Sequence, residues 1–244
     1  MSDAPDLLTV DGVSKRYGSL LVTDNLSFSV REGEAVGVIG PNGAGKTTLF
    51  NLIGGGVRPG AGRILLRGED ITDLPPPERC RRGIGRSYQV PHPFAKMSVY
   101  ENVLVGATFG ARLTVQEAER VSLEIVERTG LMSKVNHKSG ALTLLDRKRL
   151  ELARALATRP RLLLLDEIAG GLTESEVRAL IDTINEVRRE GVAIIWIEHL
   201  MHALLAVVDR IVAINFGALI VDGRPAEVMA DARVRQIYMG VAAA

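Results

Sequence analysis

The sequence has little of what secreted, membrane-spanning and nucleic-acid-binding proteins depend on. Cys80 is the single cysteine among 244 residues, so no disulfide can form within the chain, and this favours a reducing compartment such as the cytosol. No apolar run approaches the roughly 18–20 residues that a membrane-spanning helix needs. The 30 basic and 29 acidic residues leave a net charge of +1, too little to attract a phosphate backbone. We therefore expect neither a membrane span nor a nucleic-acid partner.

The N-terminal segment and the cysteine carry no functional signal. Residues 1–6 include Asp3 and Asp6 and lack the basic start and apolar run of a signal peptide, so we expect no export. Cys80 has arginine neighbours that could favour its thiolate, but we interpret it as an incidental surface thiol without a role. Hydrophobic residues make up 46% of the chain, which is enough for the core of one large α/β domain.

Predicted strands and helices alternate along most of the chain, which favours an α/β fold with a largely parallel sheet. A β-like run at residues 34–39 leads into a glycine-rich loop, and a helix is predicted to begin at Lys46. Apolar runs at residues 162–165 and 193–197 flank a helical stretch at 174–190, a pattern typical of buried parallel strands. Further strands are predicted at residues 7–10, 25–30, 210–215 and 218–221.

The middle third of the chain, about residues 99–158, has helical periodicity and predicts a helical subdomain. Three prolines at residues 75–77 predict a turn before a short helix. Three glycines at residues 54–56 predict the end of the first helix, because no Gly-Lys-Ser/Thr follows them as a second phosphate loop would require. We find neither an internal repeat nor a low-complexity linker.

A phosphate-binding loop is predicted where the sequence fits G-x-x-x-x-G-K-[ST] between a strand and a helix. Glycines let backbone N–H groups converge on phosphate oxygens, the helix directs its positive end at them, Lys46 adds a charge and Thr47 can bind Mg²⁺. The alternative is a glycine-rich structural turn, which the flanking strand and helix disfavour. The residues expected to bind the nucleotide here are Gly40, Asn42, Gly43, Ala44, Gly45, Lys46, Thr47 and Thr48.

Further candidate residues stand at the ends of the later apolar runs. Asp166 and Glu167 follow a buried strand at the edge where open α/β sheets bind ligands. Asp166 could hold Mg²⁺, and Glu167 could orient or deprotonate an attacking water. His199 follows Ile197 and would contact the γ-phosphate if the strands are parallel. An isolated Asp-Glu pair or histidine is often structural, but the phosphate loop favours the catalytic interpretation.

In their order along the chain, these motifs resemble the ATPase subunits of ATP-binding-cassette (ABC) transporters. The resemblance covers nearly all of residues 1–244 and implies a single ABC-type domain. Its fold would be a P-loop NTPase core with a mostly parallel sheet, an N-terminal antiparallel β subdomain and a helical subdomain at about residues 93–160. The cofactors implied are ATP and Mg²⁺.

The resemblance also implies roles for single residues. Tyr17 matches the aromatic platform that stacks on adenine, Gln89 matches the Q-loop glutamine near Mg²⁺ and water, and His199 matches the switch histidine. An exposed tyrosine and an ordinary loop glutamine are the alternatives. The catalytic residues implied are Glu167, His199, Gln89 and Lys46, and the Mg²⁺ ligands implied are Thr47, Gln89 and Asp166.

The sequence departs from the family at two loops. Gly171 and Leu172 match part of the D-loop, but Thr173 replaces its usual aspartate or asparagine. The signature, usually Leu-Ser-Gly-Gly-Gln, reads Leu-Thr-Leu-Leu-Asp at residues 142–146, so both glycines are lost. In the family this loop closes over the γ-phosphate of ATP held by the opposing subunit.

Asp146 is the second problem in the signature. As a helix N-cap it would contribute about 1 kcal/mol. A carboxylate about 4 Å from a phosphate would cost roughly 4 kcal/mol at an effective dielectric near 20. We therefore hypothesise that this chain pairs with a different ATPase subunit whose intact signature completes the site built on Lys46 and Glu167.

Three segments resemble the branched-chain amino acid importer branch: residues 83–89, 97–103 and 149–156. This implies transmembrane permease subunits, a second ATPase subunit and a peripheral location at the cytoplasmic face of the inner membrane. Residues 90–102 would receive a helix of the membrane partner, with Phe94 and Met97 as apolar anchors, unless they form an ordinary surface loop. The transported molecule would be a branched-chain or related amino acid or a small amide.

Other functions remain open at this point. The ATPases of lipid or lipopolysaccharide exporters share the single-cassette layout. A weakly hydrolysing regulatory subunit would fit the altered signature, although Lys46, Asp166, Glu167 and His199 are all present. Relatives that act in DNA repair or on ribosomes usually carry tandem cassettes or coiled-coil insertions, and this chain has neither.

Overall fold

The computed structural model describes residues 6–239, with strands and helices in alternation. The expectation about a signal peptide concerns residues 1–6 and therefore lies outside the described residues, except for Asp6. The strands are β1 (Asp6–Tyr17), β2 (Leu20–Arg31), β3 (Ala35–Ile39), β4 (Ala61–Leu66), β5 (Glu69–Asp70), β6 (Ile84–Arg86), β7 (Leu162–Asp166), β8 (Ala193–Ile197), β9 (Arg210–Asn215) and β10 (Ala218–Gly223).

The helices connect these strands and fill the middle of the chain. They are α1 (Lys46–Ile53), α2 (Pro76–Arg81), α3 (Val99–Val105), α4 (Val115–Arg128), α5 (Leu144–Ala157), α6 (Glu174–Arg189), α7 (Met201–Leu205), α8 (Pro225–Ala230) and α9 (Ala232–Met239). A π-helical turn at Gly106–Gly110 follows α3, and 3₁₀ turns occur at Met132–Lys134 and Ser139–Ala141. No helix among the described residues is long and apolar enough to cross a membrane.

Two sheets form the framework of the described chain. The first is antiparallel, with strand order β2-β1-β4-β5. The second has strand order β10-β9-β3-β8-β7-β6 and is parallel except for β10, which runs antiparallel to β9. This arrangement confirms the predicted fold class of a mostly parallel α/β core with an antiparallel N-terminal sheet.

The parallel sheet is covered on both faces, which explains why its central strands are continuously apolar. Every residue of β3, β7 and β8 is buried. Alternate side chains of β7 serve two hydrophobic clusters: Leu163 and Leu165 pack with the helices of the middle region, whereas Leu162 and Leu164 pack with α1 and the antiparallel sheet. The core therefore lies in two layers, one on each side of the parallel sheet.

The middle region is helical as predicted, and its helices begin at side-chain caps. Ser98 with Glu101 forms a capping box at α3, and Thr114 with Glu117 forms another at α4. The π-helical turn packs closely on α5, because a Cβ at Gly106 would lie 2.7 Å from the carbonyl oxygen of Arg154. Glycine is therefore required where the two segments touch.

The structure corrects some expectations from the sequence. Strands β1 and β2 are longer than predicted, and β4, β5 and β6 were not predicted, because they are short or have few buried positions to produce a pattern. Cys80 is partly buried instead of fully at the surface. Burial raises the pKa of its thiol despite opposing effects of Thr158 and Arg81, so the expected thiolate-favouring effect of the arginines is outweighed.

Arg79, on α2, anchors the helix that follows the glycine-rich loop. Its side chain is 1% exposed, and burial lowers its pKa to about 10, with Asp70 and Asp73 opposing that shift. Its guanidinium donates hydrogen bonds to the carbonyl oxygens of Leu52 (2.6 Å) and Ile53 (2.8 Å), at the end of α1. It also donates to the carbonyl oxygens of Leu74 and Thr72. One side chain thus serves four backbone acceptors.

We predict that Arg79→Met lowers the free energy of unfolding by about 3–5 kcal/mol, because the buried carbonyl oxygens lose their donor. Arg82→Met is the matched control: Arg82 pairs at the surface with Glu69 and Glu78, so its loss should cost less than about 1 kcal/mol. Urea unfolding followed by circular dichroism measures both. Equal losses for the two variants would contradict the anchoring role.

Candidate functional site

The glycine-rich loop joins the end of β3 to the start of α1 in a conformation that needs glycine. Gly43 and Gly45 have φ angles of 80° and 100°, in the left-handed region. A Cβ at Gly45 would lie 2.5 Å from the carbonyl oxygen of Val22, so the close approach of β2 also excludes a side chain. The first turn of α1 has no acidic residue and no side-chain cap, which leaves its N–H groups free for an anion.

Lys46 is held at the mouth of this loop. Its ammonium donates hydrogen bonds to the carbonyl oxygens of Gly40 (2.6 Å) and Pro41 (3.0 Å), and only 7% of the residue is exposed. Burial lowers the pKa of Lys46, and the charges of Glu167 and Asp166 oppose that shift. The loop therefore presents a cation together with converging backbone N–H groups, as binding of a polyphosphate requires.

An open cleft of about 490 Å³ lies over the loop. It brings together residues from five separate parts of the chain, and all of them except Val22 were candidate site residues from the sequence. The lining residues are Val22, Asn42, Gly43, Ala44, Gly45, Lys46, Thr47, Thr48, Gln89, Glu167 and His199. Gly40 forms the base of the loop without lining the cleft.

Glu167 is the centre of the polar contacts on the far side of the cleft. Its backbone is left-handed, with φ 47°, and its N–H donates to the carbonyl oxygen of Ile197 (2.9 Å). Gln89 Nε2 donates to Glu167 Oε2, and His199 Nε2 lies 2.9 Å from Glu167 Oε1. The three predicted catalytic side chains beyond the phosphate loop thus meet at one carboxylate.

Asp166 lies beneath the cleft, 3% exposed, and does not line it. Burial raises the pKa of its carboxyl group, and Arg86, whose Nη2 lies 3.5 Å from Asp166 Oδ2, opposes that shift. Arg86 also donates to Asn51 Oδ1 on α1 (2.8 Å). Arg86 was not a candidate from the sequence, where its only signal is its place two residues before Tyr88 in a segment that resembles the importer branch.

A magnesium ion fits the oxygen donors at the cleft and directly beneath it. No group of three or more His, Cys, Asp or Glu side chains that could hold a metal occurs in residues 6–239. Mg²⁺ does not need one, because it commonly binds one or two side-chain oxygens together with phosphate oxygens and water. Thr47 at the start of α1 and Asp166 at the end of β7 supply oxygens of the required kind.

Tyr17, which lies in the antiparallel sheet and was predicted to contact the nucleotide, does not line the cleft. It ends β1, pairs with Leu20 across the hairpin and is 46% exposed. The ammonium of Lys15 lies 5.4 Å from the centre of its ring. Val22, further along the same hairpin, does line the cleft. Stacking of Tyr17 on adenine stays a prediction.

The signature segment forms the start of α5, and it corrects one expectation. Thr143, not Asp146, is the N-cap, and its Oγ1 accepts a hydrogen bond from the N–H of Asp146 (3.3 Å). The Asp146 carboxylate accepts from Thr143 Oγ1 (2.7 Å) and pairs with the ammonium of Lys134. Asp146 is 3% exposed, whereas Leu144 is 52% exposed. The charge that would have repelled a phosphate is therefore offset by Lys134.

The same contacts set the protonation of Asp146. Burial by itself would raise the pKa of its carboxyl group, but the hydrogen bonds from Lys134 and Thr143 outweigh burial and hold the pKa below its ordinary value of 3.8. A carboxyl group with a lowered pKa in the folded state stabilises the fold above its unfolded pKa. That stability is lost as the pH falls through the folded pKa.

We predict that Asp146→Asn lowers the free energy of unfolding by about 1–3 kcal/mol at pH 7, because Lys134 loses its partner. The difference from the unsubstituted chain should stay constant from pH 7 to pH 5 and shrink below about pH 4. Asp182→Asn, at an exposed position of α6, is the control and should change stability by less than about 0.5 kcal/mol. Urea unfolding at several pH values measures this, and a gap independent of pH would refute the assignment.

Comparison with known proteins agrees with this geometry. The ABC transporter family matches residues 23–170, and the family described as branched-chain amino acid ATP-binding cassette transporter matches residues 218–244. The chain is 37% identical to the high-affinity branched-chain amino acid transport ATP-binding protein LivG of Salmonella typhimurium, over 97% of this chain and 98% of the relative. It is 35% identical to the lipopolysaccharide export system ATP-binding protein LptB of Haemophilus influenzae, over 96% and 97%.

A solved structure of similar fold completes the comparison. The ADP conformation of an ATP-binding cassette of an ABC transporter superposes with a TM-score of 0.85 at 30% identity, covering 97% of this chain and 99% of the other. The sequence matches cover nearly the whole chain, and the cleft has the donors that ATP and Mg²⁺ need. The chain therefore belongs to the ABC transporter family, as an ATP hydrolase that binds ATP with Mg²⁺.

Proposed function

We propose that this subunit powers a membrane transporter that imports branched-chain or related amino acids or small amides. The observation that carries the ATPase part of the proposal is the meeting of Gln89 and His199 at the carboxylate of Glu167, across the cleft from the phosphate loop. The match of residues 218–244 to the branched-chain amino acid family favours that branch. The protein would act at the cytoplasmic face of the inner membrane, bound to other subunits.

In this proposal the charged and polar residues in and beneath the cleft divide the work of binding ATP and hydrolysing it. Lys46 and the loop N–H groups bind the β- and γ-phosphates. Thr47 and Asp166 would hold Mg²⁺, which would neutralise charge on the phosphate oxygens, and Gln89, which lines the same cleft as Thr47, would join them. Glu167 orients the attacking water and accepts its proton.

His199 completes this set of tasks. Its Nε2, 2.9 Å from the Glu167 carboxylate, fixes the direction in which that carboxylate points. It would also contact the γ-phosphate.

The surface proposed to meet the membrane subunits is residues 90–102. The Asn102 side chain organises it: its amide oxygen accepts from Phe94 N–H (2.8 Å), and its Nδ2 donates to the carbonyl oxygen of Ser98 (2.8 Å) and to Ser139 Oγ (3.2 Å). Phe94 is 45% exposed beside Arg154, whose guanidinium lies 4.8 Å from the ring centre, whereas Met97 is only partly exposed. Phe94 is therefore the stronger candidate anchor.

A groove beside this surface has room for a partner's side chains. Its volume is about 270 Å³, and it runs between the parallel sheet and the helical region. Tyr88, 49% exposed, lies on its wall with Arg86, Glu151 and Arg154. A helix of a permease subunit that carries apolar and polar side chains would complement this lining.

We predict that Phe94→Ala weakens binding of the chain to its permease subunits about 10-fold or more, because an exposed aromatic anchor is lost. Phe109→Ala is the matched control, since Phe109 is 69% exposed on the π-helical turn and should not affect assembly. Titration of each variant onto permease subunits in detergent measures binding. If the Phe94→Ala chain assembles and couples normally, residues 90–102 form an ordinary surface loop.

We further propose that the partner ATPase subunit is a different chain. Exposed Leu144 and partly exposed Leu145 replace the signature glycines, so their side chains keep the backbone N–H groups of α5 away from an opposing γ-phosphate. A partner with an intact signature would complete the cleft of this chain. The opposite site, completed by this chain's signature, would hydrolyse ATP more weakly.

The first measurement is Mg²⁺-dependent ATP hydrolysis by the chain alone and mixed with the ATPase subunit encoded beside it. We expect activity only in the mixture, and a loss of at least about 100-fold on Glu167→Gln, which cannot accept a proton. Glu174→Gln, at the exposed start of α6, is the matched control. Equal activity of the chain alone would show that the leucine-containing signature supports hydrolysis.

A second candidate function is the ATPase of a lipid or lipopolysaccharide exporter, because the relative LptB is 35% identical over nearly the whole chain. Both systems would use the same cleft, so the cleft does not distinguish them. Reconstitution with the permease subunits encoded beside this chain does. Amino-acid-stimulated hydrolysis would support import, and stimulation by lipopolysaccharide would support export.

A further inference from the structure

Two buried charged side chains lie outside the nucleotide cleft, and the proposed mechanism does not use them. Lys148, on α5, is 9% exposed, and Glu198, directly after β8, is 3% exposed. Neither lines the cleft. Both contact the segment of residues 167–171, which begins with Glu167. Burial of a charge is costly unless it is paired and hydrogen-bonded, so their placement calls for a specific role.

Glu198 joins this segment to the end of β8. Its Oε2 accepts a hydrogen bond from the N–H of Ala169 (3.0 Å). Its Oε1 accepts from the N–H groups of His199 (2.9 Å) and Leu200 (3.3 Å). One carboxylate therefore fixes the backbone that carries His199 relative to the backbone that follows Glu167.

Lys148 approaches the same segment from α5. Its ammonium donates to the carbonyl oxygen of Gly170 and lies 3.4 Å from the carbonyl oxygen of Glu167. Lys148 stands on the helix whose N-cap is Thr143, so the lysine and the signature belong to one rigid element. Any displacement of α5 would move the Lys148 ammonium relative to the carbonyl oxygen of Glu167.

The segment between them needs support from side chains. Glu167 has φ 47° and Gly171 has φ 77°, so the chain reverses through two left-handed residues. A residue other than glycine in this conformation costs roughly 1–3 kcal/mol and persists only when its surroundings hold it. The backbone contributes the hydrogen bond from the N–H of Leu172, directly after the segment, to the Ala169 carbonyl oxygen (3.2 Å). Glu198 supplies a contact from the end of β8, and Lys148 supplies contacts from α5.

We propose that Lys148 is a positioning residue that holds Glu167 in the geometry for hydrolysis and links that geometry to the signature helix α5 of the same subunit. Glu198 is the fixed counterpart that holds the other side of the segment. This inference rests on the proposed role of Glu167 as the group that orients the attacking water. Contact made by the signature with the partner subunit would thereby reach the catalytic carboxylate on this chain.

The test uses the chain mixed with its partner ATPase subunit, with hydrolysis measured at varied concentrations of ATP and Mg²⁺. Lys148→Met retains the length and loses the hydrogen bonds. We expect kcat to fall about 10–100-fold, because small misplacements of a catalytic group have effects of this size, while KM for ATP changes less than about 3-fold. Lys148→Arg, which keeps the charge and donors, should restore most of kcat. Lys138→Met, at an exposed lysine, is the matched control and should leave kcat unchanged.

A double-mutant cycle separates positioning from a general loss of structure. If Lys148 acts through Glu167, Lys148→Met should lower the residual hydrolysis of a Glu167→Gln chain less than about 2-fold, because the group that it positions is already gone. An equal factor in both backgrounds would overturn the inference. Binding of a fluorescent ATP analogue checks the fold and should be unchanged by Lys148→Met. If the methionine variant does not fold, Lys148→Gln replaces Lys148→Met in the cycle.

Two outcomes of this assay distinguish failure of the inference from failure of the proposed function. Full hydrolysis by Glu167→Gln would refute the role of Glu167 and, with it, the inference that depends on it. Loss of hydrolysis in Glu167→Gln together with normal kcat in Lys148→Met would refute the positioning role alone. The two failures therefore produce different results in the same assay.

Discussion

The functional geometry depends on the register of three parallel strands. Val38 of β3 pairs with Ile197 of β8, and Ile197 pairs with Asp166 of β7, so the carboxyl ends of the three strands lie level. The phosphate loop leaves the first strand, Glu167 follows the third and His199 follows the second. A shift of one residue in any pair would move these groups by about 3.3 Å and turn neighbouring side chains to the other face.

The sequence was sufficient to predict the position of those site residues that belong to a motif at the end of a strand. The phosphate loop follows an apolar run, and Asp166, Glu167 and His199 follow others, so their meeting at one edge could be predicted. The roles of Arg86, Lys148 and Glu198 could not be predicted, because a charged residue in the sequence carries no sign of which distant group it will contact in the fold. Strands β5 and β6 were missed because they have only two and three residues, and β4 was missed because only two of its six residues are buried.

The signature region shows why a motif departure needs a structure for its interpretation. From sequence, Asp146 was either a cap or a repulsive charge. In the fold it is neither, because Thr143 caps the helix and Lys134, twelve residues earlier, pairs with the carboxylate. The glycines of the family's loop are absent, yet α5 begins with an ordered N-terminus. Under the proposed pairing, the leucines would limit backbone access for an opposing phosphate, while the start of the helix stays well defined.

The hydrogen bonds of Asn102 have a consequence for how force passes between subunits. Because that buried amide ties Phe94 and Ser98 together, the surface at residues 90–102 is ordered before any partner arrives. Little conformational entropy would be lost on docking. A stiff contact of this kind also transmits displacement without absorbing it. If residues 90–102 dock on the membrane subunits as proposed, motion of the cassette would reach those subunits with little loss in amplitude.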